Sequence, residues 1–261
     1  MNKNLFCGSL LAALLCCGIA SAQWGDLKGT FILKGTAPKV AKLDVSKEPF
    51  CTKHPELLVD EGLVIGPGGG IKNVVVWLVS KEKVAAHPSY AEAAKTGVIL
   101  DNNKCRFEPR VAMVQVGQKF IVKNSDPVGH NSNISLFNGK PQNPLIPPMG
   151  EVAMTFTDVE ALPMPVSCNI HPWMSGKLLI RDNPYMAVSD EKGTISIKNI
   201  PVGKWTFQVW HEQPANITAP SVGGKPQKWA KGRVEVEIKN GAETELGGGK
   251  VELTPEQLKS K

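Results

Sequence analysis

Cys168-Asn169-Ile170-His171-Pro172-Trp173-Met174 brings a thiol, an imidazole and a thioether into one short stretch, spaced C-x-x-H-x-x-M. Alternating apolar segments at 164–168 and 176–181 flank it, so the stretch is expected to be a loop joining two β-strands. Soft sulfur donors beside an imidazole suit copper. A blue-copper centre takes two histidines and one cysteine in a trigonal set, with a weak axial methionine. The second histidine must therefore come from elsewhere. His130 fits, because it follows a predicted strand at 119–123 and the turn Asn124-Ser125-Asp126-Pro127-Val128-Gly129, and another predicted strand begins just beyond it.

Other chemistries remain open for the same residues. Zinc sites take four N, S or O donors and rarely a thioether. A Cys168/His nucleophile pair is a further option, but it leaves Met174 without a role and lacks a third, orienting group. Taken singly, Met174 is ordinary core packing, His130 an ordinary loop histidine, and C-x-x-H a common coincidence.

Outside this loop the 261-residue chain also reads as β. Short runs rich in Val, Ile, Thr and Phe alternate with Gly, Pro, Asn and Asp, which predicts further strands at 28–33, 73–79, 111–115, 134–137, 151–156, 193–198, 204–210 and 232–238. A single short helix is expected at 88–95, with Pro88 in its first turn and Gly97 past its end. Gly66-Pro67-Gly68-Gly69-Gly70 is a turn, since its glycines do not follow a phosphate-binding spacing. Residues 254–261 are expected to form a polar tail.

The start of the chain has export features. Lys3 precedes an apolar run at 5–20 that is too short and interrupted to span a bilayer, and Ala20-Ser21-Ala22 matches a small-x-small cleavage site. Residues 1–22 are expected to be a signal peptide, so the protein is expected to be periplasmic or extracellular and not membrane-spanning. The net charge of +6 is spread without a Lys/Arg block. No nucleic-acid partner is expected on that pattern. Of six cysteines, Cys51, Cys105 and Cys168 lie beyond the signal. If Cys168 holds metal, Cys51 and Cys105 are the natural disulfide pair, although spacing alone leaves that open.

On the residues quoted, the segment 98–181 resembles the cupredoxin, or type 1 blue-copper, family of the amicyanin and plastocyanin kind. The ligand loop has the short Cys–His–Met spacing and the following proline of the amicyanins. Gly129-His130-Asn131 stands where the family has Pro-His-Asn, so the proline is replaced. Arg106-Phe107-Glu108-Pro109 and Val116-Gly117-Gln118 are similar to the family's early strand and glycine turn. The resemblance implies a Greek-key β-sandwich with His130, Cys168 and His171 as equatorial ligands of one mononuclear copper and Met174 as its axial ligand. Asn131 would tie the two ligand loops together. His171 would be the electron port, and redox protein partners would dock on an apolar patch near His171, Pro172 and Trp173. The run Pro144-Leu145-Ile146-Pro147-Pro148-Met149 is a possible extension of that patch, with plain loop packing the alternative.

A second resemblance concerns the flanks. Ala187-Val188-Ser189-Asp190-Glu191-Lys192-Gly193, followed by Thr194-Ile195-Ser196-Ile197 and by Asn199-Ile200-Pro201-Val202-Gly203-Lys204-Trp205-Thr206-Phe207, is similar to the carboxypeptidase-regulatory-like, or transthyretin-like, β-sandwich. Its first strands would be 28–33 and 73–79. The expected fold is thus all-β, with residues 23–97 and 184–253 forming one sandwich and residues 98–183 a copper domain inserted into it. Two domains in series, split near 181–183, are the alternative.

His211 lacks a paired donor at ligand spacing and is expected to be structural, with a second metal ligand or a place near the copper the alternative, and His54 and His87, lone histidines next to prolines, are expected to be loop residues rather than ligands. Asn133-Ile134-Ser135 and Asn216-Ile217-Thr218 match a permissive glycosylation pattern. Trp205 and Phe207 share one strand face and Trp210 lies on the other, which core packing and an interdomain contact would explain. All four metal positions are filled, which leaves no open site for substrate. The function expected is therefore a single-electron carrier and not an enzyme. A non-redox copper-binding surface module and a Cys168-dependent enzyme are the competing readings.

Overall fold

The structure is a computed structural model that describes residues 23–55 and 59–259. The expected signal peptide at 1–22 lies outside the described residues. The described residues are nearly all β, with one short α-helix among them at Tyr90–Lys95. An all-β sandwich architecture is what the alternating segments called for.

Two hydrophobic cores form. The first is enclosed by strands from both ends of the chain. Trp24–Leu33 buries every second residue and pairs antiparallel with Thr194–Pro201 and parallel with Glu243–Glu245 and Val251–Leu253. The opposite sheet holds Val75–Val79 between Met186–Val188 and Gly203–His211, with Arg233–Ile238 on the far edge. Leu27, Phe31, Val76, Leu78, Phe207 and Val236 meet in this core. Gly193 is required where the chain turns back onto Trp24–Leu33. Its φ is +75°, and a Cβ there would lie 2.0 Å from the Phe31 carbonyl oxygen.

The second core is built from the middle of the chain. One sheet orders Glu151–Met154, Phe120–Asn124, Val98–Asn103 and Arg106–Glu108. The other orders Val111–Gln115, Ser175–Arg181, Met164–Ser167 and Asn133–Ile134. Leu100, Phe120 and Val122 from the first meet Val114, Leu178 and Ile180 from the second.

A third cluster joins the two. Val75, Trp77 and Trp210 from the first unit pack on Val111 and Leu179 from the second. Ser175–Arg181 is buried on both faces at its far end for this reason: Leu178 and Ile180 face their own core while Leu179 faces the seam. Val75–Val79 is likewise an uninterrupted apolar run because both its faces are covered. Charges reinforce the seam. Arg110 Nε is 2.9 Å from a Glu212 oxygen and Lys177 Nζ is 3.3 Å from the other, while Arg106 pairs with Glu61 at 2.8 Å.

Several expectations need correction. The segment 134–137 does not form one strand. Its place is taken by the two-residue strands His130–Asn131 and Asn133–Ile134, because Ser135 onward turns toward the loop at Gly139. Val98–Asn103 was not anticipated, since its second half is Asp-Asn-Asn. Side-chain bonds hold part of that polar half in place: Asn102 Nδ2 donates to the Lys123 carbonyl, Asn103 Nδ2 to Glu108, and Asp101 accepts from Ser125, while the buried Asn102 Oδ1 is left without a partner among the described residues. The expected polar tail folds back instead. Glu256–Leu258 is a turn of 3-10 helix whose Leu258 is only 2% exposed in the first core.

Candidate metal centre

Two loops at one end of the second unit carry the site. The first leaves strand Phe120–Asn124. Asn124 Nδ2 donates to the carbonyls of Val128, Ile146 and Pro147, and its Oδ1 accepts the Asp126 N–H, which fixes the loop from both sides. His130–Asn131 then pairs antiparallel with Leu145–Ile146. The second loop is closed at its base, where Ser167 pairs with Ser175. Inside it the Met174 N–H donates to the His171 carbonyl at 2.9 Å, and the Cys168 N–H donates to the Met174 carbonyl at 3.3 Å.

Asn131 bridges the loops. Its Oδ1 accepts the N–H groups of Asn169 at 2.8 Å and Ile170 at 3.3 Å, and lies 3.4 Å from Cys168 Sγ. Its Nδ2 donates to Asn143 Oδ1 at 2.6 Å.

His130, Cys168 and His171 come together with their donor atoms within 4.8 Å of one another. The two Nδ1 atoms are 2.9 Å apart, and Cys168 Sγ lies 4.0 Å from His130 Nδ1 and 3.7 Å from His171 Nδ1. Donors on one first-row ion, with nitrogen at about 2.0 Å and sulfur at about 2.3 Å, stand about 3.3–3.8 Å apart. The observed triangle matches that to within a few tenths of an ångström, so these residues fit a single metal ion. The Met174 side chain is buried in the same core cluster as Cys168. His211 is elsewhere, in strand Gly203–His211, and among the described residues it joins no such group. Burial pushes its imidazole down to about 4, against the opposing pull of Glu212, so it stays neutral.

The electrostatics prepare the sulfur for metal. Burial raises the Cys168 thiol, but hydrogen bonds with His130 and His171 outweigh it and bring the pKa down to about 5. Burial also lowers His130, while Asp126 and Cys168 more than reverse that and raise it. Because the folded thiol binds its proton less tightly than an ordinary cysteine at 9.0, its contribution to stability is present above that value and is lost as pH falls through about 5. In the metal-free protein the ultraviolet absorbance of the Cys168 thiolate is therefore expected to persist down to about pH 5 and to be missing in Cys168→Ser. A midpoint near the ordinary cysteine value of about 8.5 would show that the imidazoles do not act on the sulfur.

Two groups at the site were not anticipated. Asp126 Oδ2 is 2.9 Å from His130 Nε2, and Glu48 Oε2 is 3.7 Å from His171 Nε2. Asp126 lies four residues before His130 but in an Asp-Pro pair, which the sequence alone marks as a turn. Glu48 belongs to a distant segment with no local signal of its role.

That segment also limits access to His171, the expected electron port. His171 is only 3% exposed. Residues 43–54 strap across it, with Val45 and Cys51 buried in the second core and Leu43 and Phe50 packed against it. A disulfide between Cys51 and Cys105 pins the strap to the turn after Val98–Asn103. Trp173 is half-buried against His171, with ring centroids 5.1 Å apart. What reaches the surface here is Pro172 and Ile170, together with Leu145 opposite Asn131 and Met149.

No protein-family model and no curated protein matches the chain. Solved structures do align with it. An amicyanin mutant in its reduced Cu(I) form at pH 4 is 23% identical over 41% of this chain and 98% of its own, with a TM-score of 0.30. A purple cupredoxin from Nitrosopumilus maritimus is 22% identical over 33% of this chain and 99% of its own, with a TM-score of 0.28. A Cu-containing nitrite reductase from Thermus scotoductus SA-01 is 20% identical over 40% of this chain, with a TM-score of 0.30, and this chain spans only 25% of that protein's length. At such TM-scores the likeness carries no function across, and the chemistry of the site stands on its own donors.

Proposed function

We propose that the chain is an exported blue-copper protein that carries single electrons through one mononuclear type 1 site. His130, Cys168 and His171 would hold the copper equatorially, with Met174 as its weak axial ligand. The observation that carries the reading is the buried convergence of two Nδ1 atoms and one thiol of lowered pKa on a single point. When bound, copper supplies a one-electron couple. The chain's own residues supply the rest. Asn131 holds the Cys168 loop against the His130 loop, the ladder of Ser167 and Ser175 keeps its base shut, and the strap excludes water. With the donors on two braced loops, a small geometric change between redox states is accommodated without refolding. No position is left for a substrate, which favours a carrier over an enzyme.

In the same proposal residues 98–183 form the copper unit, set into a transthyretin-like sandwich made of 23–97 and 184–253, from which the 43–54 strap departs to pack on the copper unit. The support is that Trp24–Leu33 takes its partner strands from beyond residue 193. Export to the periplasm or the exterior rests on the features of residues 1–22. Among the described residues no helix is long and apolar enough to cross a membrane. Redox protein partners would meet the face of Ile170, Pro172 and Leu145, since His171 is covered. That burial also favours a second reading, a module that holds copper without exchanging electrons.

The visible spectrum of the copper-loaded protein tests the proposal. An intense blue absorption that disappears in Cys168→Ser is the expected result, and stoichiometric copper without it would leave the non-redox reading. Met174→Gln is expected to retain copper and lower the reduction potential, as measured by spectroelectrochemistry. An unchanged potential would remove Met174 from the ligand set.

A further inference from the structure

Both candidate imidazole ligands turn their second nitrogen toward a carboxylate, and one disulfide joins the segments that supply them. His130 Nε2 meets Asp126 Oδ2 at 2.9 Å, with the aspartate 1% exposed. The Asp126 oxygens also accept the N–H groups of Lys104 at 2.6 Å and Cys105 at 2.8 Å. His171 Nε2 faces Glu48 Oε2 at 3.7 Å, an ion-pair distance rather than a hydrogen bond. The other Glu48 oxygen accepts the Phe50 N–H at 3.1 Å, and the Glu48 carbonyl accepts the Thr52 N–H at 3.2 Å. Cys51 sits in the Glu48 segment, Cys105 in the segment that holds Asp126, and the two are bonded.

We propose that Asp126, held by its own unit, and Glu48, held in place through the Cys51–Cys105 disulfide, form a paired anionic shell over the outer nitrogens of His130 and His171, and that this shell biases the site toward Cu(II). The proposal rests on the copper reading above. Among the described residues neither carboxylate pairs with a lysine or arginine, so their charge is directed at the imidazoles. Neighbouring Arg106 is taken up by Glu61 and Glu108. A carboxylate on the far nitrogen of a ligating histidine fixes its tautomer and raises its basicity. With Nε2–H pointed at Asp126, the His130 Nδ1 lone pair faces Cys168 and His171, as a metal requires. The coulombic part acts in the same direction. Cu(II) carries one more unit of charge than Cu(I), so each nearby anion stabilises it more, and weak solvent exposure limits the screening.

The roles of the two carboxylates differ in what holds them. Asp126 is anchored by the backbone of its own unit and stays in place without the disulfide. Glu48 depends on the strap, and the strap on Cys51.

The test uses the copper-loaded full chain and compares midpoint potentials of the wild type, Glu48→Gln, Asp126→Asn, and the Cys51→Ser/Cys105→Ser pair. Each carboxylate neutralisation is expected to shift the relative affinity for Cu(II) over Cu(I) about tenfold toward Cu(I), which for one electron is a rise of about 59 mV. The disulfide variant should move as Glu48→Gln does. The Glu48 side chain is 25% exposed and Asp126 is buried, so Glu48→Gln remains informative if Asp126→Asn fails to fold. A metal-free readout is added: in nitrogen-edited spectra the His130 Nε2–H should be protected from exchange in the wild type and in Glu48→Gln, and unprotected in Asp126→Asn. A blue wild type whose potential moves less than threefold in affinity ratio in Glu48→Gln overturns this inference and leaves the copper reading standing. A wild type without copper or without blue colour overturns both.

Discussion

Replacing Cys51 and Cys105 together by alanine is expected to lower the unfolding free energy by about 4 kcal/mol and to uncover His171. The two cysteines are 54 residues apart in sequence, and closing a loop of that length removes entropy from the unfolded chain on that scale. For a protein of this size such a loss lowers the melting temperature by about 8–16 °C. The local consequence is the more specific one. The strap keeps Val45 and a few partly buried side chains on the second core, which is little apolar area to hold it without the covalent tie. Calorimetry measures the first effect, and exchange of the His171 ring N–H with solvent measures the second. A stability change under about 1 kcal/mol, with His171 still protected, would mean that packing alone seats the strap.

The convergence of Cys168 and His171 in one loop was legible because the two are neighbours in sequence and the flanking strands alternate plainly. His130 was legible from its place after a strand and a turn. The same clarity applied to Arg233–Ile238, where Val234, Val236 and Ile238 alternate with charged residues. Legibility failed where a structure depends on distant partners. Glu48 meets His171 only because a disulfide places its segment there, and sequence spacing did not settle that disulfide. His171 was expected at the surface for the same reason: nothing local in Cys168–Met174 signals a covering strap. Val98–Asn103 failed differently. Its polar half is paid for by side-chain bonds to Lys123 and Ser125, which no alternation pattern displays. The seam residues Trp77, Trp210 and Leu179 lie between these cases. Their strands were foreseen, and the opposite faces of Trp210 and Phe207 agree with the separate clusters they join.

The second large effect is expected from Asn131→Ala. In the native site a single amide oxygen accepts two backbone N–H groups of the Cys168 loop, from Asn169 and Ile170, and the amide nitrogen donates to Asn143. Alanine removes the acceptor and leaves both N–H groups without it, in a part-buried position where each lost partner costs about 1–2 kcal/mol. Stability should fall by about 2–4 kcal/mol on denaturant titration. The metal site should suffer beyond that, because Asn131 is what ties Cys168 and His171 to the loop of His130. A supporting residue of this kind is worth about 10–100-fold in metal affinity, and a chelator competition would measure it. Asn131→Asp separates the two contributions. It keeps an acceptor for Asn169 and Ile170, so stability should largely be retained. It also sets a carboxylate where the amide oxygen stands 3.4 Å from Cys168 Sγ, and like-charge repulsion there should raise the thiol and weaken metal binding at neutral pH. If Asn131→Ala and Asn131→Asp lose stability equally, the amide is needed for its donor to Asn143 rather than for holding the ligand loop. If neither weakens copper, the two loops are positioned by their strands alone.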